Sequence, residues 1–585
     1  MWTLICQLTV VSGTELRVFL ALAKREFLCS SMLSDRASFW RNIRNFALRP
    51  DKRRASDVFT VYKANEFNRE FASVGERIAN ELRGTGGNEE APSPRPPRVT
   101  SAELVLQPVT LPELSKSLSE LSSSRAVGVD GVPLFAIRNC FAVLAPILLH
   151  LINVSIVSKV FPTAWKMASV VPIHKSGSRD SPYNFRPIAI LPALSKLCEK
   201  VVCKQLSDYF TCHDLFSASQ YAYRSCHSTE DAVTDAVEWM TRRVDAGHIV
   251  AVTSIDLSKA FDTVDHDVLA TKLRWHGVDP TWFESYLDGR HQMVKGGSLS
   301  LPISFGVPQG SLIGPILFSI FTNDLPSHIP HGHIVSYADD TQLLDSAHPD
   351  DLPSLKSRQE NTILTLQSYF TANSLKMNPT KTTLLLVGTS QSIKKAASFQ
   401  LNINDFVLKP SPFVKMLGVT IDSTLSWEEH ISHVVKKCNS ILFCIYKIKH
   451  HLTPDTRKLL IQAHVFSPIL YCLSVWGGAA ACRRLLISGP TSSMASSTAA
   501  EMSASLLLAR VRPDLTTRAR AALSPALQSL MARSMLLAMT SFCTWLKNWP
   551  PLMLKRKNRK MKRSIITPAP STAQRAMACM KAPPS

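Results

Sequence analysis

What the chain lacks narrows its class. Its 13 cysteines include no C-x2-C pair, so neither a zinc ribbon nor a zinc knuckle can be drawn from them. Scattered thiols without a repeating framework read as reduced and buried. No stretch approaches 18 uninterrupted apolar residues, which predicts no membrane-spanning helix and no membrane partner. The N-terminus (Leu4, Ile5, Leu8, Val10, Val11) is apolar, but it has no basic leader and Gln7 interrupts it. No cleaved signal is expected there, and no secretion. No internal repeat is present. Acid is also scarce: 66 Lys and Arg stand against 45 Asp and Glu, a net charge of +21, which points to a nucleic-acid partner. The excess is unevenly placed. From Ala479 onward 17 basic residues face two acids, Glu501 and Asp514, a net +15 that leaves +6 for the first 478 residues.

What is there describes a globular chain. With 585 residues, 45% hydrophobic and 19% charged, it has room for several cores. Residues 1–34 carry no assignable element. From 35 to 83 the apolar positions Phe39, Trp40, Ile43 and Phe46, then Phe59, Tyr62, Phe67, Phe71 and Ile78, are helically spaced. Residues 84–98 hold Gly84-Thr-Gly-Gly87 and Pro92-Ser-Pro-Arg-Pro-Pro97, a linker that defeats helix and strand alike. The densest patterning runs from Arg98 to Trp476. From 479 to 585 the texture shifts to Ser, Ala, Met and Arg, and Lys555–Arg563 has seven basic residues in nine. That tail reads as poorly ordered and basic.

The chemistry lies in Tyr337-Ala-Asp-Asp340 and Ser254-Ile-Asp-Leu257. Adjacent carboxylates raise each other's pKa and resist burial unless a cation neutralises them. Asp339 and Asp340 are nevertheless flanked by Ile334, Val335, Leu343 and Leu344, and Asp256 ends the apolar run Ile249–Val252. Three acids at the ends of buried strands suit a pair of Mg²⁺ ions, which take oxygen ligands and leave room for substrate phosphates. Leu257 can add its carbonyl. A bare Asp-Asp is ordinarily a solvated hairpin; the surrounding segments reverse that reading. Phe261 is placed at the start of the next helix, where a ring either packs in the core or lies under a nucleotide sugar. Asp262 and Asp265 read as a helix cap and a first-turn acid. Gly306-Val-Pro-Gln-Gly310 forms a loop that a ligand can approach closely, with Gln309 as the contact and Pro315 opening an apolar helix. Lys175 and Arg186, in extended segments, can neutralise a triphosphate.

The order of these segments resembles the reverse transcriptases of non-LTR (LINE-type, jockey-like) retrotransposons. The likeness runs from about Phe39 to Gly478. Its motifs are Gly128-Val-Asp-Gly131, Phe161-Pro-Thr-Ala-Trp165, Asn184-Phe-Arg-Pro-Ile188, Asp256-Leu-Ser-Lys-Ala-Phe-Asp262, Gly306-Val-Pro-Gln-Gly-Ser311, Tyr337-Ala-Asp-Asp340, Leu375-Lys-Met-Asn-Pro-Thr-Lys381, Leu417-Gly-Val-Thr-Ile-Asp422 and Leu425-Ser-Trp427.

The resemblance implies an α+β right-hand polymerase, with fingers and palm over 99–425 and a helical thumb over 426–478. It implies catalytic Asp256, Asp339 and Asp340, metal ligation by these and Leu257, and two Mg²⁺ ions, with Mn²⁺ as a substitute. The nucleotide would be bound by Lys175, Arg186, Phe261, Gln309 and Lys381, with Phe261 discriminating the sugar and Lys381 protonating the departing pyrophosphate. Lys436, Lys437, Lys447 and Lys449 would grip the duplex backbone. The implied partners are an RNA template, a DNA primer and dNTPs, in the nucleus or cytoplasm. Full-length elements carry an N-terminal endonuclease that 34 residues cannot encode, so an endonuclease acting in trans and a truncated, frameshifted copy with an intact palm are expected. The rival reading is an inactive remnant that at most binds nucleic acid.

Overall fold

A computed structural model describes residues 61–85, 102–122, 126–329, 331–404 and 406–478. The segments read from sequence as 1–34, 35–60, the linker from residue 86, the tail 479–585 and the basic run Lys555–Arg563 lie outside the described residues. Among those described, helices combine with mixed and antiparallel sheets in an α+β arrangement.

Two four-stranded sheets carry the architecture. The first combines β1 (Met167–His174), β2 (Phe185–Ile190), β4 (Arg290–Val294) and β5 (Leu301–Ile303) in the order β2-β1-β4-β5. Its β1 is antiparallel to β2 and parallel to β4. Helix α1 (Val61–Thr85) lies on this sheet through Phe67 and Phe71, which pack with Val170 and Val294. The second sheet contains β3 (Ile249–Ile255), β6 (His333–Tyr337), β7 (Asp340–Ala347) and β8 (Thr383–Val387), in the order β6-β7-β3-β8 and antiparallel throughout.

Why β3 is a continuous apolar run follows from its position. It is paired on both edges and buried on both faces, so the usual alternation of polar and apolar residues is absent. Ile249, Ala251 and Ile255 enter one core with Ile363, Leu366 and Phe370 of α7 (Leu352–Ala372). Val250 and Val252 enter a second core with Val233, Ala236 and Met240 of α4 (Thr229–Asp245) and with Trp427 and Trp476. Two further hairpins follow, β9 (Leu401–Ile403) with β10 (Phe406–Leu408) and β11 (Phe413–Met416) with β12 (Val419–Asp422). In sequence α2 (Phe141–Ser158) precedes β1, α3 (Ala193–Cys212) follows β2, α5 (His266–Trp275) lies between β3 and β4, and α6 (Gly314–Phe321) between β5 and β6; α8 (Glu428–Ile448) comes after the last hairpin.

Beside the expectation of no membrane-spanning helix stands α2, which is long and apolar enough to cross a membrane by length and composition. Over its 18 residues the mean hydropathy is 2.1, and 28% of the helix is buried. Pro146, His150, Asn153 and Ser155 break the apolar run without breaking the helix. Ala145, Leu148, Ile152 and Ile156 face the core, while Val143, Ile147, Val154 and Val157 are exposed. Length and composition would allow this helix to span a bilayer, and its inner face is one side of a protein core.

An ion pair cross-links the elements behind the second sheet. Lys272 of α5 donates to Asp324 Oδ1 at 2.8 Å and to the Phe321 carbonyl at 2.6 Å. Tyr369 of α7 donates to the same Asp324 oxygen at 2.7 Å. Both charged side chains are within 2% of full burial, so neither can turn to water if its partner is removed. Lys272→Met therefore leaves Asp324 desolvated and uncompensated, and is expected to destabilise the fold by about 3–5 kcal/mol. A drop of the urea unfolding midpoint in the Lys272→Met chain, larger than that of the exposed control Lys204→Met, checks it.

Candidate active site

The two-residue turn that joins β6 to β7 places the paired carboxylates. Tyr337 pairs with Asp340 across the hairpin, and Ala338 takes φ +56°, the left-handed conformation that closes such a turn. Gln220 clamps the turn from outside: its Oε1 accepts from Ala338 N–H at 3.0 Å and from Ala222 N–H at 3.0 Å. Asp256 follows β3 directly, next to the paired strand, as the apolar run predicts. The bridge between Leu257 and Met377 is made by Asn378 N–H donating to the Asp256 carbonyl and Ser258 N–H to the Lys376 carbonyl, both at 2.8 Å. The Leu257 carbonyl is not the acceptor of either bond.

Both hairpin acids are held above their ordinary pKa. Burial, above all, pushes the Asp339 carboxyl above its ordinary range; Asp256 adds to this, while a backbone hydrogen bond, Arg186 and Lys175 oppose it. Asp340 is raised by burial first, then by Asp339 and Asp256, with Lys175 opposing. Arg186, on β2, and Lys175, just past β1, thus act on the hairpin acids although both side chains are exposed. Lys381 Nζ stands 3.5 Å from Asp256 Oδ2, an oxygen that is buried and has no hydrogen bond among the described residues. These features bring five of the sequence-read residues (Asp256, Asp339, Asp340, Lys175, Arg186) into one field, with Lys381 joined through Asp256.

The donor set fits a hard divalent cation. All donors are oxygens, one is buried without a hydrogen bond among the described residues, and a dication would offset the charge that burial first, and neighbouring acids after it, make costly at Asp339 and Asp340. Among the described residues no three His, Cys, Asp or Glu side chains already stand together as a ligand cluster; what brings the three acids into one region is the pairing of β3 with β7.

The remaining residues need some correction. Phe261 lies in the short 3-10 turn Ala260–Asp262, ahead of α5 and not at its start. Its half-buried ring stacks on Phe318 of α6, 4.5 Å between centroids and 22° between planes. Asp265, not Asp262, caps α5, accepting from Asp267 and Val268 N–H; the cap falls three residues later because Ala260–Asp262 is itself a turn. Asp262 instead accepts from the Gln309 side-chain amide at 2.7 Å. Pro315 does open α6 in its first turn. On α8, Lys436, Lys437 and Lys447 are exposed, and Lys449, one residue past it, sits over the Tyr446 ring at 4.2 Å. Two residues near the acids were missed, Gln220 and Tyr223. Burial and Asp339 push the Tyr223 hydroxyl above its ordinary pKa. Both sit in a loop without hydrophobic period, and the parallel bridge of Gln220 with Ser336, which ties that loop to β6, forms only in the fold.

A raised native pKa for an acid means that the folded chain holds protons the unfolded chain has released, so the penalty is complete above the raised value and gone below the ordinary 3.8. Asp339→Asn is therefore expected to melt about 1–3 °C above the parent at pH 7.5 in EDTA, the gain shrinking as the pH falls toward 4. Millimolar Mg²⁺ should raise the parent's melting temperature and leave that of the variant nearly unmoved. Differential scanning calorimetry of both chains, with and without the ion, checks both parts.

Comparison with known proteins agrees with this geometry. Residues 173–421 match the family described as "Reverse transcriptase (RNA-dependent DNA polymerase)", a span that holds every site residue named above from Lys175 to Lys381. The chain is 30% identical over 402 residues to "Probable RNA-directed DNA polymerase from transposon BS" of Drosophila melanogaster, covering 64% of this chain and 43% of the relative. It is 27% identical over 401 residues to "RNA-directed DNA polymerase from mobile element jockey" of the same species (64% and 42%). The jockey polymerase of Drosophila funebris is 25% identical over 398 residues (64% and 42%). The chain spans less than half the length of these relatives. The paired acids at the hairpin turn and the third acid at the adjoining strand end thus lie within the span of this chain that is similar to reverse transcriptases and to transposon RNA-directed DNA polymerases.

Proposed function

We propose that the chain is an RNA-directed DNA polymerase that extends a DNA primer on an RNA template. The observation that carries this reading is the placement of Asp256 beside the Asp339-Asp340 turn by the pairing of β3 with β7, with Lys175 acting on both hairpin acids and Arg186 on Asp339. In this reading the second sheet is the palm, the segments with Lys175 and Arg186 belong to the fingers, and α8 begins the thumb. Asp256, Asp339 and Asp340, with the Leu257 carbonyl, would hold two Mg²⁺ ions. When bound, such ions lower the pKa of the attacking 3′-hydroxyl and offset the charge of the leaving pyrophosphate.

The chain's own residues do the rest. Arg186 and Lys175 attract and orient the triphosphate, the first with a forked donor and the second as a point charge. Lys381, held near Asp256, is placed to give a proton to the departing pyrophosphate. The Phe261 ring, fixed against Phe318, is a rigid wall under the sugar. Lys436, Lys437 and Lys447 offer sequence-independent contacts to a duplex backbone, weakening with salt.

Primer extension on poly(rA)/oligo(dT) with dTTP and Mg²⁺ tests this directly. Extension is expected from the parent, and at least about 10³-fold less from the Asp339→Ala, Asp340→Ala chain, since several kcal/mol of charge stabilisation is lost. Two folded chains that both fail to extend would point to a remnant that only binds nucleic acid. The sugar wall makes a separate prediction. Phe261→Ala should raise the incorporation of UTP relative to dTTP by about tenfold or more, the scale of a steric discrimination. Competition between the two nucleotides on the same primer measures it.

A further inference from the structure

Asp262 stands six residues beyond Asp256 and is not one of the acids assigned to the cation. Other elements nevertheless converge on it. A Cβ on Gly75 of α1 would stand 2.2 Å from the Asp262 carbonyl oxygen, and one on Gly306 would stand 2.8 Å from the Asp262 Cα. Glycine alone permits both approaches, and at Gly306 the φ of +83° asks for it as well. The side chain is equally engaged. Asp262 Oδ1 accepts from Gln309 Nε2 at 2.7 Å, and Oδ2 is buried without a hydrogen bond among the described residues.

The loop that carries Gln309 is tied at both ends of the nucleotide wall. Val307 N–H donates to the Phe261 carbonyl at 2.9 Å, and Gly306 N–H to the Val264 carbonyl at 2.8 Å. On the other side Ala189 N–H donates to the Gln309 carbonyl at 2.7 Å, and a Cβ on Gly310 would meet the Ala189 oxygen at 2.4 Å. The main chain of Gln309 is thus fastened to β2, the strand of Arg186. Its side chain is fastened to the turn of Phe261.

The chemistry of the bond sets its direction. An ionised carboxylate accepts and cannot donate, so Gln309 has to turn its nitrogen toward Asp262, leaving Oε1 as the end that can accept from a ligand. Burial pushes Asp262 up to about 6, against the pull of the Gln309 bond, Lys259 and Arg186; at pH 7.5 the acceptor-only form prevails. Unheld, a glutamine side chain retains rotamer freedom that a ligand must remove on binding.

We propose that Asp262 is a positioning residue for the nucleotide site: by holding Gln309 through its amide nitrogen, it presents the Gln309 carbonyl oxygen to a hydrogen-bond donor on the incoming nucleotide and locks this loop to the turn bearing Phe261. The inference rests on the polymerase reading above and adds to it a residue that touches neither substrate nor cation.

The test is a double-mutant cycle in the full chain, with dTTP kinetics on poly(rA)/oligo(dT). Asp262→Ala and Gln309→Ala should each raise the KM for dTTP by about tenfold with kcat within about threefold of the parent, and the double variant should be no worse than the worse single one. Asp262→Asn keeps an acceptor oxygen and should stay within about threefold of the parent in KM. Effects that multiply in the double variant, or an Asn variant as impaired as Ala, would overturn the proposal. Hydrogen exchange of the Gly306–Ser311 amides gives a second reading that needs no activity. Exchange should quicken by about tenfold in Gln309→Ala and Asp262→Ala but not in Asp262→Asn. Unchanged exchange in the folded Gln309→Ala chain would overturn the positioning role even if Asp262→Ala failed to fold. A parent chain unable to extend a primer would sink the polymerase reading alone and leave the exchange result to decide the role of Asp262.

Discussion

Strand β3 is hydrogen-bonded on both edges, to β7 and β8, and covered on both faces by separate cores. A strand so enclosed has no register to slip into, because a shift of one residue would exchange the side chains of its two cores. The first residue free of that enclosure is Asp256. Its neighbour β7 begins at Asp340, so the same pairing that fixes β3 also fixes the hairpin turn beside its end. Three acids that repel one another are held close by apolar burial elsewhere in the strands. The site is an electrostatic cost that the sheet core carries, and a divalent cation is the natural means of relieving it.

Around this centre, positions are set largely by backbone contacts. The Gly306–Gly310 loop is fastened to the Phe261 turn and to β2 by main-chain hydrogen bonds, and its glycines let these elements come closer than any side chain would allow. Such contacts do not depend on which apolar residues fill the neighbouring core. They keep the Phe261 turn, the Gly306–Gly310 loop and β2 in a constant relation while the core behind them, cross-linked by Lys272, Asp324 and Tyr369, resists deformation. The exposed apolar face of α2 lies outside this arrangement, and nothing in the site depends on it.

Much of the site was legible in the chain itself. Asp256 could be placed because a strand buried on both faces has to be a continuous apolar run, and the run stops there. The Asp339-Asp340 turn could be placed because two adjacent acids between apolar segments have few other homes. Less could be read of the turn at Ala260–Asp262. Its residues suit a helix start as well as a 3-10 turn, and which one forms depends on Gly75 and Gly306 packing against it from distant parts of the chain. For the same reason Asp262 was read as a helix cap when its carboxylate in fact holds Gln309.

The division has a physical basis. Strand burial, turn chemistry and the identity of the charged groups are local properties, so the sequence by itself determined the sheet strands that bear acids, the oxygen-only donor set and the cations available to a triphosphate. Which of these groups share one electrostatic field was decided by the tertiary structure. Arg186 and Lys175 act on Asp339, Lys381 pairs with Asp256, Gln220 clamps the acidic turn, and Asp262 accepts from Gln309, in each case across tens of residues or more. Charge interactions fall off with distance in space and not along the chain, and only folding supplies that distance.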